Sequence, residues 1–536
     1  MKLNRASLSD KAGWSAAHVA LPQYDVAAAA EAAKAAPTWV HFGTGNIFRA
    51  FIAVLAQRLL NEGLSNKGII MVNTHDPAII DTVYTPYDNL CISVVLNPDA
   101  TTSREIVGSI AEGLKADSAD ASAMARFKEI FTDPGLQMLT FTITEKGYSL
   151  RQPDGAYLPA AEADMKEGPH NTKHAMATLT KFLYWRWQAG GAPIALCSLD
   201  NCSHNGEVLH GSVSEIARAW ADRGLADPAF PAWLDDEEKV SFPWSMIDKI
   251  TPRPSKEVQE SLEADGIEGM ETIVTAKGGY TAAFVNAERP QYLVIEDKFP
   301  NGRPPLEKAG VYFCDRETVN KTERMKVTTC LNPLHTAMSV NGCLLGYTKI
   351  ADEMQDPDIV SLIRRLGYTE GLPVVTHPGI LEPKDFIDEV VTQRLPNPFM
   401  PDAPQRIATD TSQKVAIRFG ETIKSWIAQG RDLNELVSIP LALAGWLRYL
   451  LGVDDEGRPM EVSADPLKNY LQEQLKDIRW NDPGSCTTQL RPILANANIF
   501  GLDLTATPLA DKIEAIFKEE LAGPGAVRAA LQKHLA

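Results

Sequence analysis

The sequence predicts an α/β protein: an N-terminal part built on a parallel sheet, and a mostly α-helical C-terminal part. Three observations carry this. Residues 38–42 are a short apolar run, followed by a glycine turn and a helical apolar period at Phe48, Phe51, Ile52, Leu55 and Leu59. A second apolar run, 68–73, comes next, and strand–helix–strand within about forty residues makes a βαβ unit and a parallel sheet. Beyond about residue 313 the apolar spacing is helical almost throughout.

Taken in order, residues 1–36 form an Ala-rich lead-in of helical character that ends at Pro37. The run 38–42 is the first strand. Residues 47–60 are the first helix of the unit, with Gly63 placed to end it. Ile69, Ile70, Met71 and Val72 make the second strand a buried one. Further strands are expected at 136–144 and 194–198, and a late one at 291–296. The Pro- and Gly-rich stretch 300–305 reads as a linker. Helices are expected at 334–352, 356–367, 384–394, 411–429, 433–452, 464–476 and 508–521. The expected division is a domain over 1–312 and a helical domain over 313–536.

At 536 residues the chain is long enough for two or three cores. Its net charge of −17 repels phosphate backbones, so nucleic acid is not an expected partner. A small anionic substrate is not excluded, because it feels the local site. The longest apolar stretch, 439–451, is interrupted by Arg448 and too short to span a bilayer. There is no apolar leader after the first residues. Seven scattered cysteines without a C-x-x-C fit a reducing compartment, and the expected location is the cytoplasm.

Gly43-Thr44-Gly45 is a G-x-G turn with Phe48 in the place of a third glycine. Between a strand and a helix, such a turn lets the helix N-terminus receive a pyrophosphate. This makes the N-terminal domain Rossmann-like; the alternative is a tight turn with no ligand. The second strand runs into Asn73, Thr74, His75 and Asp76. Asp76 is placed to hold ribose hydroxyls or to cap the helix beginning at Pro77. No Lys or Arg lies between Gly68 and Ser103, which favours NAD over NADP. Glu145, Asp200 and Asn201 fall just past strand ends, where open α/β sheets bind ligands.

Lys326, Asn332 and His335 form the pattern K-x5-N-x2-H. A primary amine, an amide and an imidazole can supply a general acid/base, an oxyanion donor and a substrate-orienting group. That set suits hydride transfer at a secondary alcohol or ketone without metal. On one continuous α-helix Lys326 and His335 would sit about 180° apart. Asn332-Pro333 offers a break, because proline disfavours a helical residue before it and suits a helix start. The expectation is a break near 331–332, with Asn332 capping a second helix that carries His335. Glu323, three residues before Lys326, shares its face and could instead be a plain salt-bridge partner.

Six segments in order resemble the mannitol dehydrogenase family of long-chain polyol-specific dehydrogenases. They are Gly43 to Ala50, Thr142 to Tyr148, Ser198 to Asn201 with His204 to Gly206, Met246 to Pro252, Val294 to Asp297, and Lys326 to His335. The resemblance implies a dinucleotide-binding domain, a helical domain and NAD as cofactor. It makes Lys326 the acid/base, and Asn201 and Asn332 the oxyanion site. His335 would orient substrate, Glu323 relay protons and Asp248 touch substrate hydroxyls. Gly43, Gly45, Asn46, Phe48, Arg49, Asp76, Glu145 and Asp200 would serve the cofactor.

The stretch from Asn397-Pro398 through Arg406 to Lys414 is similar to the branch of that family that handles hexuronates. The expected reaction is NAD-dependent interconversion of D-fructuronate and D-mannonate, with mannitol oxidation or tagaturonate reduction as alternatives. A hexuronate brings a carboxylate, for which arginine is the usual partner. Arg406 and Lys414 are the candidates, although Arg406 could equally serve a structural pair. The family's mannitol enzymes tend to carry a basic residue soon after the Asn-Pro pair; here Met400, Pro401 and Asp402 follow.

Other signals carry less. His170 and His174 are i,i+4 but lack a third ligand nearby, so no metal is expected. Cys197 and Cys202 read as packing residues. No G-x-S-x-G elbow or phosphate-binding P-loop is present, which argues against hydrolases and kinases. A non-catalytic NAD(H)-binding sensor and a sugar-phosphate dehydrogenase complete the alternatives.

Overall fold

The computed structural model describes residues 1–536. The chain divides into two compact units, one of residues 1–96 and 101–320, the other of residues 97–100 and 321–536. No helix is long and apolar enough to cross a membrane.

The first unit is built on a six-stranded sheet of β1 (Trp39–Phe42), β2 (Ile69–Asn73), β3 (Ile110–Lys115), β4 (Met138–Phe141), β5 (Ile194–Ser198) and β6 (Val240–Ser241). Its order is β3-β2-β1-β4-β5-β6 and every pairing is parallel. This is the doubly wound order with its switch point between β1 and β4. Both faces are covered, which explains why the strands read as continuous apolar runs. One face carries Val40, Phe42, Leu139 and Phe141 against Phe131 and Phe182. The other carries Trp39, Met71 and Met138 against Phe51, Leu55 and Leu59.

This unit adds to the sequence reading and in places departs from it. The lead-in is two short helices, Lys11–Ala16 and Val26–Ala35, with the strand Val19–Ala20 between them. That strand joins a second sheet with Thr102–Val107, Cys91–Leu96 and Phe284–Glu288. A third sheet places Tyr292–Glu296 between Ser245–Asp248 and Tyr312–Cys314. His170 and His174 do not share a helix; His174 precedes the helix Ala175–Gln188 and accepts from the Met176 amide.

The second unit is helical. Asn332–Leu344 is buried on nearly every side and packs on Ser438–Tyr449, which packs on Leu509–Glu520. Gly445 permits the first contact, because a Cβ there would meet Asn341 Oδ1 at 2.9 Å. The helix expected over 433–452 starts only at Ser438. There the Glu370 carboxylate accepts from the amides of Val437, Ser438 and Ile439 at 2.8, 2.6 and 2.9 Å. A cap supplied from so far along the chain leaves no local signature. The helix expected over 334–352 ends at Leu344, and Gly346 turns the chain with φ +82°.

Six helical stretches widen into π-turns: Phe48–Ile52, Ile80–Tyr84, Lys326–Cys330, Arg365–Gly371, Val390–Arg394 and Ala416–Gly420. Such turns are rare and gather at functional sites.

Candidate functional site

At the switch point the chain leaves β1 through Gly43, whose φ is +134°. A Cβ there would sit 2.5 Å from the Thr142 carbonyl, so only glycine lets this turn pass the end of β4. Space beside Gly45 is open. The Gly45 carbonyl accepts the Arg49 amide at 3.3 Å, in the opening turn of the helix that starts at Asn46.

The turn is held by polar groups rather than by packing. Asn73 Nδ2 donates to Thr44 Oγ1 at 2.7 Å, and the Tyr84 hydroxyl donates to the Thr44 carbonyl at 2.7 Å. A cavity of about 580 Å³ opens here, lined by Gly43 to Gly45, Asn73 to Asp76 and Thr142 to Thr144. Three strand ends thus converge on one crevice, as a dinucleotide requires.

Asp76 is buried at this edge, and its Oδ2 has no hydrogen-bond partner. Its amide donates to Asn73 Oδ1 at 2.7 Å, and its carboxylate caps no backbone amide. Of the two roles open to it, the cap is therefore not formed, and Asp76, with one carboxylate oxygen unpaired, is among the residues that line the cavity. A ribose hydroxyl is the donor such a group lacks. The glycine turn, open helix start and orphaned carboxylate fit a dinucleotide.

Four of the other residues assigned to the cofactor, Asn46, Phe48, Arg49 and Asp200, are engaged by contacts within the chain. Phe48 is fully buried and stacks on His41 with ring centroids 4.2 Å apart. Burial lowers the His41 pKa to about 3, and its two ring nitrogens meet the hydroxyls of Thr140 and Thr142. Arg49 is buried; it donates to the Ala282 carbonyl at 2.6 Å and to Thr281 Oγ1 and Asn46 Oδ1 at 3.0 Å. Asn46 in turn donates to the Pro252 carbonyl at 3.2 Å. Asp200 accepts from the amides of Ile143 and Thr144 at 2.9 and 3.0 Å and from the Tyr148 hydroxyl at 2.6 Å. It shapes the wall of the cavity by pinning the turn after β4. Glu145 is exposed at the start of a short helix, and Lys146 lines the cavity in its place.

One cation escaped the sequence reading. Lys277, in the hairpin between Ile273–Val274 and Tyr280–Thr281, donates to the His75 carbonyl, beside Asp76. The absence of lysine from residues 68–103 did not exclude one arriving from another part of the fold.

In the same unit, Asn201 lies exposed in the turn after β5, and Asp248 is buried as the last residue of its strand.

In the helical unit, Lys326 is buried and opens a π-turn. The Lys326 carbonyl accepts from the Leu331 amide, five residues on, at 3.1 Å. Leu331 then leaves helical geometry (φ −129°, ψ −61°), and a new helix begins at Asn332 with Pro333 in its first turn. The break falls where proline chemistry put it. Asn332, however, is the first helical residue and its side chain makes no cap; Leu331 holds the cap position. Glu323, half-buried, lies one turn before Lys326 on Arg316–Met325.

His335 is one turn past the break, with its side chain 16% exposed and its Nε2 3.5 Å from Asp402 Oδ2. Burial lowers its pKa to about 4; Asp402 opposes this, and Arg418, Arg406 and Arg394 reinforce it. The imidazole is therefore neutral at neutral pH. Arg406 is exposed and paired with Asp402. Lys414 donates to the carbonyls of Ile407 and Thr409.

Two family models cover the chain: the mannitol dehydrogenase Rossmann domain over residues 37–308, and the mannitol dehydrogenase C-terminal domain over residues 318–519. A D-mannonate oxidoreductase of Thermotoga maritima is 50% identical over 536 residues, spanning 99% of each chain. The crystal structure of a D-sorbitol dehydrogenase in substrate-free form superposes with a TM-score of 0.79 at 28% identity, covering 96% of this chain and 97% of the other. The Pseudomonas fluorescens mannitol 2-dehydrogenase, in ternary complex with NAD and D-mannitol, gives 0.67 at 27%, covering 99% of each.

Proposed function

Because the chain belongs to the mannitol dehydrogenase family, we propose that it is an NAD-dependent oxidoreductase interconverting D-fructuronate and D-mannonate. The observation that carries this is the end-to-end likeness, half of all positions, to the Thermotoga maritima D-mannonate oxidoreductase.

The dinucleotide lies at the β1–β4 switch point, with its pyrophosphate on the Gly43–Gly45 turn and its adenosine ribose on Asp76. The nicotinamide supplies the hydride for ketone reduction and accepts it in the reverse direction. A buried carboxylate oxygen that lacks a partner favours a hydroxyl and disfavours a 2′-phosphate, which supports NAD.

Lys326 protonates the nascent alcohol during reduction and takes that proton back during oxidation. Asn332 and Asn201 donate to the oxygen that bears the developing charge, without being ionised themselves. His335, neutral, accepts or donates a hydrogen bond and orients the sugar chain. Glu323 passes protons to Lys326, and Asp248 holds substrate hydroxyls.

The test is a panel of NADH oxidation with fructuronate, tagaturonate and fructose. Turnover highest with fructuronate supports the assignment. Turnover with fructose alone moves the protein to mannitol oxidation. NADH binding with no turnover on any of the three makes it a cofactor-binding sensor.

A further inference from the structure

We infer that Arg418 is the residue that binds the carboxylate of the substrate and so selects sugar acids over neutral sugars. This rests on the hexuronate reading above.

Arg418 lies in the π-turn Ala416–Gly420 and is partly buried. Its Nη1 donates to the Thr336 hydroxyl. Thr336 Oγ1 donates to the Asn332 carbonyl at 3.0 Å. The guanidinium is thereby fastened to the same helical turn that presents Asn332 and His335.

It is also a cation without an anion. Burial lowers its pKa to about 10, and no carboxylate acts against that. Charges withdrawn from water are ordinarily paired, because an unpaired one loses hydration without compensation. An arginine left in this state beside candidate catalytic groups is suited to an anionic ligand. Its planar fork can give two parallel hydrogen bonds to a carboxylate, and with Nη1 on Thr336 the Nε and Nη2 edge remains for that purpose.

The competing cations are engaged. Arg406 is exposed and neutralised by Asp402, and the Lys414 ammonium sits on two backbone carbonyls. Among the guanidiniums whose field reaches His335, Arg418 acts most strongly, ahead of Arg406 and Arg394. Arg406 and Lys414 are the sequence candidates because their stretch resembles the hexuronate branch and they carry the charge a carboxylate needs; the π-turn brings Arg418 to Thr336 instead.

The test compares wild type with Arg418→Gln, Arg418→Lys and Arg418→Ala. Each is assayed with fructuronate, and with fructose as substrate or competitive inhibitor; NADH affinity is read by fluorescence. The expected result for Arg418→Gln is a KM for fructuronate raised about 10²-fold, the scale of a lost hydrogen bond to a charged group. The value for fructose should move far less, and NADH affinity should stay. Arg418→Lys should fall between, keeping charge without the fork. Millimolar guanidinium should lower the KM of Arg418→Ala, a rescue that a purely structural role would not show. An unchanged KM in Arg418→Gln, an equal rise for fructose, or no rescue overturns the inference. Wild type inert toward every hexuronate overturns the functional reading itself, and is seen before any variant is made.

Discussion

His335 Nε2 stands 3.5 Å from Asp402 Oδ2, within ion-pair range, yet makes no hydrogen bond. Arg406 holds the other oxygen of the same carboxylate. Asp402 thus shares its charge between an exposed guanidinium and a buried imidazole, and burial prevails: the His335 pKa falls to about 4.

This relationship has a consequence for stability. In the unfolded chain the imidazole titrates near 6.5. Between that value and about 4 the unfolded state binds more protons than the folded one. The stability that neutral His335 contributes is therefore present above pH 6.5 and lost as pH falls toward 4, by up to about 3 kcal/mol. His41, lowered to about 3, acts in the same direction. Urea unfolding at pH 7 and pH 4.5 should show a marked fall for wild type and a smaller one for His335→Gln. Parallel losses in the two proteins would contradict the assignment.

Lys326→Ala should fold and bind NADH, because the cofactor crevice is lined by the ends of β1, β2 and β4 and not by Lys326. Turnover should drop by roughly 10² to 10⁴, the range for loss of a general acid/base. Near-normal kcat would remove Lys326 from the chemistry.

Asp76→Ala removes the orphaned acceptor at the end of β2. NADH dissociation constants, followed by fluorescence, should rise about tenfold to a hundredfold, as for a hydrogen bond to a charged group. Discrimination against NADPH should narrow at the same time, with Lys277 close by to meet a 2′-phosphate. An unaltered preference would place the ribose elsewhere.

Gly43→Ala forces a Cβ into the Thr142 carbonyl at a backbone angle that side chains avoid. Destabilisation on the order of 1–3 kcal/mol is expected, with loss of the thermal shift that NADH gives wild type. A variant that keeps both stability and that shift would mean the turn is less constrained than its geometry indicates.

The sequence by itself determined the parallel core. Buried strands read as unbroken apolar runs, and the glycine turn, the Asn-Pro break and the helical texture after residue 313 are local chemistry acting over a few residues. The strands Cys91–Leu96 and Thr102–Val107 went unseen because their pairing is with each other and with Phe284–Glu288. Only the tertiary structure decided which polar groups are occupied. Arg49 and Asp200 carry the right chemistry at the right edge, yet meet partners supplied by chain folding. Asp76 and Arg418 are left with capacity to spare. Whether a charged side chain is free for a ligand depends on what the rest of the chain brings within hydrogen-bond reach. That is a property of three-dimensional contact, which residue spacing along one strand or helix does not record.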